Sequence, residues 1–249
     1  ALCFSPDGGE LASSGDEEIT LWDVRQAVFL KQKITLKTPA RCLAYSFDGT
    51  HLVVGDDAGV ISLYQASDLT RVAEIRHESP SILKGITAIN CHPAQPQVVF
   101  GDYDGGVLSF DWDKAEDFET SHITQIDNHR TEIGFVQFSP DGQWILTGSK
   151  NEAKCLNTLG LFRPIDVRDV PDGEELKCGG FAWGVNRQNT FAIGTRSGTI
   201  TLFQLVDGER RKMNELQQAK SINGLFFFRE RDGLVTTSED SFVRFWLPN

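Results

Sequence analysis

The strongest constraint on this chain is a recurrence. Six short segments end alike: ITLWDV, ISLYQA, LSFDWD, KCLNTL, ITLFQL and VRFWLP. Their shared marker position holds Trp22, Tyr64, Phe110, Asn157, Phe203 and Trp246, at separations of 42, 46, 47, 46 and 43 residues. Six residues before each marker sit Asp16, Ala58, Asp104, Asn151, Ser197 and Asp240, mostly turn formers. Two features keeping one register across six copies establish a repeat, and a period of this length selects stacked units.

Each copy reads as strands. The first is short and apolar: LCF, CLAY, ITAINC, FVQF, GFAW and GLFFF. Four copies then carry a turn, Pro6-Asp7-Gly8, Phe47-Asp48-Gly49, Pro140-Asp141-Gly142 and Arg231-Asp232-Gly233. A second strand follows (ELASS, HLVVG, QVVFG, WILTG, TFAIG, LVTTS), and a third ends at the marker. Short β-branched and aromatic runs broken by Gly and Asp predict an antiparallel meander. Residues 28–36, 70–77 and 122–129 alternate as a solvent-facing outer strand would. Residues 164–170 and 210–218 read as strand or loop, the second also as a helical turn. One such sheet cannot bury both faces alone. Sheets stacked face to face around an axis can, which predicts an all-β propeller of four-stranded antiparallel blades.

The pattern resembles the WD-repeat family of β-propellers. FSPDG at Phe4–Gly8 and again at Phe138–Gly142, LWD at Leu21–Asp23, SED…FW over Ser238–Trp246 and the period carry the resemblance across essentially the whole chain. It implies a hydrogen-bond set joining a His, a second-strand Ser or Thr, a turn Asp and a third-strand Trp. Copy four supplies His129 and Ser149, with Asn151 and Asn157 in place of the Asp and Trp. Copies one and six supply Asp16 with Trp22 and Asp240 with Trp246, and copy six shows no His. The expected organisation is one propeller domain over 1–249, with units near 1–36, 37–78, 79–130, 131–175, 176–219 and 220–249. Because the pattern starts inside one copy and stops at a third strand, the expected parent is longer, with a ring of six or seven blades. The resemblance also implies a protein-interaction scaffold, and the expected setting is intracellular, cytoplasmic or nuclear.

Charge narrows the partners. A net charge of −11 over 249 residues argues against wrapping nucleic acid, which needs a dense basic face. It also argues against an anionic membrane surface. No apolar run approaches the roughly 18 residues of a membrane-spanning helix. Cys3, Cys42, Cys91, Cys155 and Cys178 are odd in number and lack CxxC spacing, so buried free thiols are expected.

Reaction chemistry has little to stand on. Asp7, Asp48, Asp141 and Asp232 recur, but Asp-Gly turns account for them. The five histidines lack ligand spacing, so neither a metal nor a cofactor is expected. Ser13 and Ser14 lie in no nucleophile elbow, and Gly105-Gly106 and Gly179-Gly180 precede no Gly-Lys-Ser/Thr.

Loop charge is more informative. In a WD-type blade the turn between second and third strands and the entry to the first strand share one face. Acidic turns (Asp57, Asp104) lie in the early copies, and Lys150, Lys154 and Arg196 in copies four and five. Arg41, Lys84, Arg130, Lys177 and Lys220 mark the entries. An acidic arc and a basic arc on one face are therefore expected to orient a protein or peptide partner of a larger assembly. Phe118 and Phe162 are read either as exposed anchors or as core filling, and the fourth copy either as a blade remodelled to bind a partner or as a degenerate blade or slipped alignment. The expected function is a non-catalytic scaffold. Its rivals are the ligand-sensing propeller of a larger signalling ATPase and a propeller hydrolase or lyase with an axial metal.

Overall fold

A computed structural model describes residues 1–25, 28–78, 85–112, 115–160, 164–167, 174–182, 189–228 and 233–247. The fold is all-β, of the β-propeller type, with six antiparallel sheets in chain order. Sheet one holds β1 (Leu2–Phe4), β2 (Glu10–Gly15), β3 (Glu18–Asp23) and β4 (Phe29–Thr35). Sheet two holds β5 (Ala40–Tyr45), β6 (His51–Asp56), β7 (Val60–Gln65) and β8 (Arg71–Arg76). Sheet three holds β9 (Ile86–Cys91), β10 (Gln97–Asp102), β11 (Gly106–Asp111) and β12 (Thr124–Asn128). Sheet four holds β13 (Ile133–Phe138), β14 (Trp144–Ser149), β15 (Ala153–Asn157) and the short β16 (Ile165–Val167). Sheet five holds β17 (Leu176–Phe181), β18 (Thr190–Thr195), β19 (Thr199–Val206) and β20 (Glu209–Gln217). Sheet six has three strands among the described residues: β21 (Ile222–Phe227), β22 (Leu234–Ser238) and β23 (Val243–Trp246). The chain divides into two compact units, Ala1–Ile133 and Gly134–Asn249.

The turn after the first strand is a repeated clasp. Ser5 Oγ–H donates to Asp7 Oδ1 at 2.6 Å, the same carboxylate accepts the Gly9 N–H at 3.0 Å, and the Glu10 N–H returns to Ser5 Oγ at 2.9 Å. Ser46, Asp48, Thr50 and His51 repeat it, as do Ser139, Asp141, Gln143 and Trp144. Gly8, Gly49 and Gly142 sit at φ of 70°, 72° and 70°, a left-handed conformation that a Cβ would strain. These carboxylates are structural. In the third copy His92 Nδ1 accepts the Ala94 N–H at 3.1 Å instead. Arg231 and Asp232 lie outside the described residues.

The clasp fixes a register that the marker spacing mistakes in copy four. Trp144 donates to Ser139 as Glu10 does to Ser5 and His51 to Ser46, so all three open the second strand. Glu10 pairs with Asp23, His51 with Gln65 and Trp144 with Asn157. Asn157 therefore stands where Asp23 stands, one residue beyond the marker. The marker itself is Leu156, buried opposite Ile145. The second-strand Ser or Thr, three residues beyond the clasp, is Ser13 in sheet one and the fully buried Thr147 in sheet four. Ser149, expected in that role, is the buried end of β14, and His129 is likewise buried. The fourth copy was slipped by one residue in alignment, and its third strand is as apolar as the others.

Within each unit, neighbouring sheets pack by one rule. The marker row of a sheet meets the lighter row of the sheet before it. In the first unit, Leu52 and Tyr64 of sheet two pack on Ala12 and Leu21, and Val98 and Phe110 of sheet three on Val53 and Leu63. In the second, Phe227, Leu234 and Trp246 of sheet six pack on Ala192 and Leu202. Phe191 and Phe203, stacked at 5.1 Å between centroids, join Leu146 and Cys155 of sheet four. Burying each large side chain of these rows contributes about 1.5–3 kcal/mol.

Two ambiguous segments resolve. Residues 209–217 form strand β20, not a helical turn. Phe118, weighed as an exposed anchor, is fully buried on a 3-10 helix, Ala115–Thr120, edge-on to Phe110 and Trp112 at 5.1 and 5.5 Å. Phe162 lies outside the described residues. At the rim, β16 pairs with only three residues of β15, and the Arg210 Nε–H of β20 reaches the Asp166 carbonyl at 2.8 Å.

Candidate interaction face

The buried hydrogen-bond sets come first, because they hold the loops. In sheet three His77 Nε2 lies 3.0 Å from Asp102 Oδ2, and both side chains are buried. A carboxylate only accepts, so Nε2 carries the proton. Asp102 Oδ1 also accepts the Asp104 and Gly106 N–H groups at 2.9 and 2.7 Å. The turn residue of the set is thus Asp102, with the expected Asp104 exposed two residues on. In sheet one Trp22 Nε1–H donates to Ser13 Oγ at 2.9 Å, while Asp16 is an exposed turn residue at φ 52°. In sheet six Trp246 Nε1–H donates to Thr236 Oγ1 at 2.9 Å, and so does the Gln218 amide. Gln218 takes the place of the missing His: its N–H meets the Gly198 carbonyl at 2.9 Å, as His77 meets Gly59 and His129 meets Gly105. Asp240 pairs with Arg244 at 2.7 Å.

On the loop face of the first unit, Arg41 pairs through Nε with Asp57 and lies 5.7 Å over the Tyr103 ring. The Asp57 hydrogen bond raises the Arg41 guanidinium above its ordinary pKa, and Glu132 adds to the effect. Two turns and a strand entry thereby converge on one cation. Arg130 is exposed at the entry to sheet four, and Lys84, before sheet three, lies outside the described residues.

On the loop face of the second unit the expected basic group is gathered on a carboxylate that sequence reasoning missed. Glu175 receives Arg196 at 2.8 Å, Lys177 at 3.4 Å and Lys150 at 3.6 Å. Backbone bonds bring these segments together, the Leu176 N–H to the Lys150 carbonyl and the Arg196 N–H to the Glu175 carbonyl. The Arg196 hydrogen bond, then the two ammonium groups, hold Glu175 below the usual carboxylate range. The cations at these loops of copies four and five therefore share one carboxylate. Lys154 is placed elsewhere: it lies inside β15, opposite Thr147 and Asp166, and not on a loop. The Glu174-Glu175 pair just before an apolar run was the available signal for the hub.

All five cysteines are free, and burial raises every thiol, Cys3, Cys42 and Cys178 up to about 12. Among the described residues no group of three His, Cys, Asp or Glu side chains is placed to hold a metal ion. No helix among them is long and apolar enough to cross a membrane.

Repeated four-stranded meanders tied by a His or Gln, a second-strand hydroxyl and a third-strand Trp define a class, and comparison names it. The family model described as WD domain, G-beta repeat matches residues 1–23 and 120–155. Human angio-associated migratory cell protein is 23% identical over an alignment covering 98% of this chain and 67% of its own. The WD repeat-containing protein 89 homolog of Dictyostelium discoideum is 24% identical over 96% of this chain and 68% of its own. The solved structure of U3-55K superposes with a TM-score of 0.79 at 17% identity, covering all of this chain and 76% of that one, a likeness of fold. The chain has the β-propeller fold and is similar to WD-repeat proteins.

Proposed function

We propose that this chain is a non-catalytic scaffold whose loop face receives a protein or peptide partner within a larger assembly. WD-repeat propellers typically serve as protein-interaction scaffolds. The observation that carries the reading is the convergence of side chains from separate loops on fixed centres: Arg41, Asp57 and Tyr103 in the first unit, Glu175 with its three cations in the second. Groups held at strand ends lose little freedom when a partner arrives. The six repeats act as one functional domain over 1–249, and no cofactor is part of the reading. Purified partner, recovered through the wild-type chain, is bound to the variant carrying Lys150→Glu and Arg196→Glu, and separately to Arg41→Glu. The expected result is a slower association rate and a changed salt dependence in at least one variant. Association unchanged in rate and salt dependence for both rejects the loop face.

A further inference from the structure

The connection from third to fourth strand runs over residues 112–123 in sheet three, against 66–70 in sheet two. Its 3-10 helix, Ala115–Thr120, packs along β8, the outer strand of sheet two, which pairs with β7 alone. There Glu119 Oε1 accepts the Glu74 N–H of β8 at 3.4 Å. On the β7 side, the His77 N–H meets the Gly59 carbonyl at 2.9 Å. Backbone groups alternate in direction along a strand, so Glu74 and Arg76 face outward while Ile75 and His77 face β7. The helix thus covers one outward position of this edge and leaves the next. Among the described residues neither the Arg76 N–H nor its carbonyl finds a partner. A cavity of about 550 Å³ opens beside Arg76, with Ile75, Leu108 and Ile123 as its apolar floor and Glu78 and Glu119 in its walls.

We propose that this slot takes a short extended segment of a partner protein, added to β8 as a fifth strand of sheet two. An unpaired edge is a template for extended chain: main-chain hydrogen bonds give affinity, and pockets for alternate side chains give selectivity. Arg76 supplies the donor and the acceptor. Glu119 already stands where the carbonyl of a neighbouring strand would, so it marks the end at which the segment stops. Residues of the segment opposite Ile75 and His77 face the floor and are apolar, while the one opposite Arg76 is polar. Glu78 and Glu119 outnumber Arg76 in the walls, so a Lys or Arg at each end of the segment matches them. Arg41, Asp57 and Tyr103 are not part of this lining, and the slot is therefore a second surface beside the loop face.

Amide NMR of the whole chain tests this with a defined probe, acetyl-Lys-Val-Thr-Val-Lys-amide, and with the same peptide N-methylated at Thr, which keeps the charge and loses the central N–H. The expected shifts are confined to residues 74–78 and 119–125, with a dissociation constant on the order of 1 mM or below. N-methylation weakens binding at least about tenfold. So does Arg76→Pro, which deletes the edge donor at a position where an outer strand tolerates proline. Arg76→Ala, which keeps that N–H, stays within about threefold of wild type. Arg41→Glu on the loop face leaves probe binding unchanged, so failure of the slot and failure of the loop face are told apart. No shift at these amides at about 10 mM probe overturns the proposal. Equal binding of the N-methylated peptide does the same, and decides alone if Arg76→Pro does not fold. A folded Arg76→Pro chain that binds as wild type also overturns it. So do shifts of these amides on concentrating the chain alone, which seat a second copy there instead.

Discussion

Removing the Asp102 carboxylate measures how much one buried side chain holds in sheet three. Asp102→Ala strands three donors: the Asp104 and Gly106 N–H groups at 2.9 and 2.7 Å and the His77 Nε2–H at 3.0 Å. Asp102 is 4% exposed, so water replaces these bonds poorly. At about 1–1.5 kcal/mol for each orphaned donor, the loss is about 3–5 kcal/mol. The internal control is Asp56, at the same place in sheet two. Its Oδ1 accepts the Ala58 and Val60 N–H groups at 2.9 and 2.8 Å, it is half-buried, and among the described residues no His reaches it. Asp56→Ala should cost about 1–2 kcal/mol. The excess, about 2 kcal/mol, combines the His77 bond, about 1–1.5 kcal/mol, with the deeper burial of Asp102. Urea unfolding followed by tryptophan fluorescence, to which Trp112 in the same core contributes, gives both values. Adding His77→Ala completes a double-mutant cycle with an expected coupling above about 1 kcal/mol. If Asp102→Ala costs no more than Asp56→Ala, or the coupling is under about 0.5 kcal/mol, the His77 bond is no stabilising tie and the reasoning fails.

Two further outcomes follow from the turns. The Asp7 carboxyl is held at about 2, first by the Ser5 hydroxyl, while in Asp48 hydrogen bonds from Ser46 and Thr50 outweigh burial. A lowered folded pKa gives stability that is full above the unfolded value, about 3.9, and lost as pH falls through the folded one. Ser5→Ala should therefore return Asp7 toward the ordinary range by NMR titration and move the acid transition to higher pH. Gly198 sits at φ 92°, and an added Cβ would lie 2.3 Å from the Gln218 carbonyl oxygen, whereas at Gly8 it would meet nothing within 4 Å. Gly198→Ala should cost upward of 2 kcal/mol against about 1 kcal/mol for Gly8→Ala, compared by thermal melts.

Sheet existence and order were legible because apolar alternation and Asp-Gly turns are local signals. Blade four was not, because Leu156 at the marker is less conspicuous than an aromatic and Asn157 follows it directly. Only the Ser139 clasp, a hydrogen bond across five residues, fixes residue 144 as the strand's start. The charge hub of the second unit was hidden for a different reason. Glu175 becomes a hub through backbone bonds to Lys150 and Arg196, twenty-odd residues away on either side, which no local pattern encodes. Phe118 belongs to an insertion outside the repeat, so periodicity could not say which way it points.

The guanidinium that Arg210 lends to the Asp166 carbonyl has a wider meaning. Where a neighbour's side chain satisfies a strand's outward oxygen, the ladder that would otherwise do so is dispensable. The outermost strand of such a unit can shorten to three residues, or lengthen to the nine of β20, while the inner strands keep their pairing. The periphery is therefore where this architecture can absorb insertions, epitopes or fused domains while its interior stays as it is.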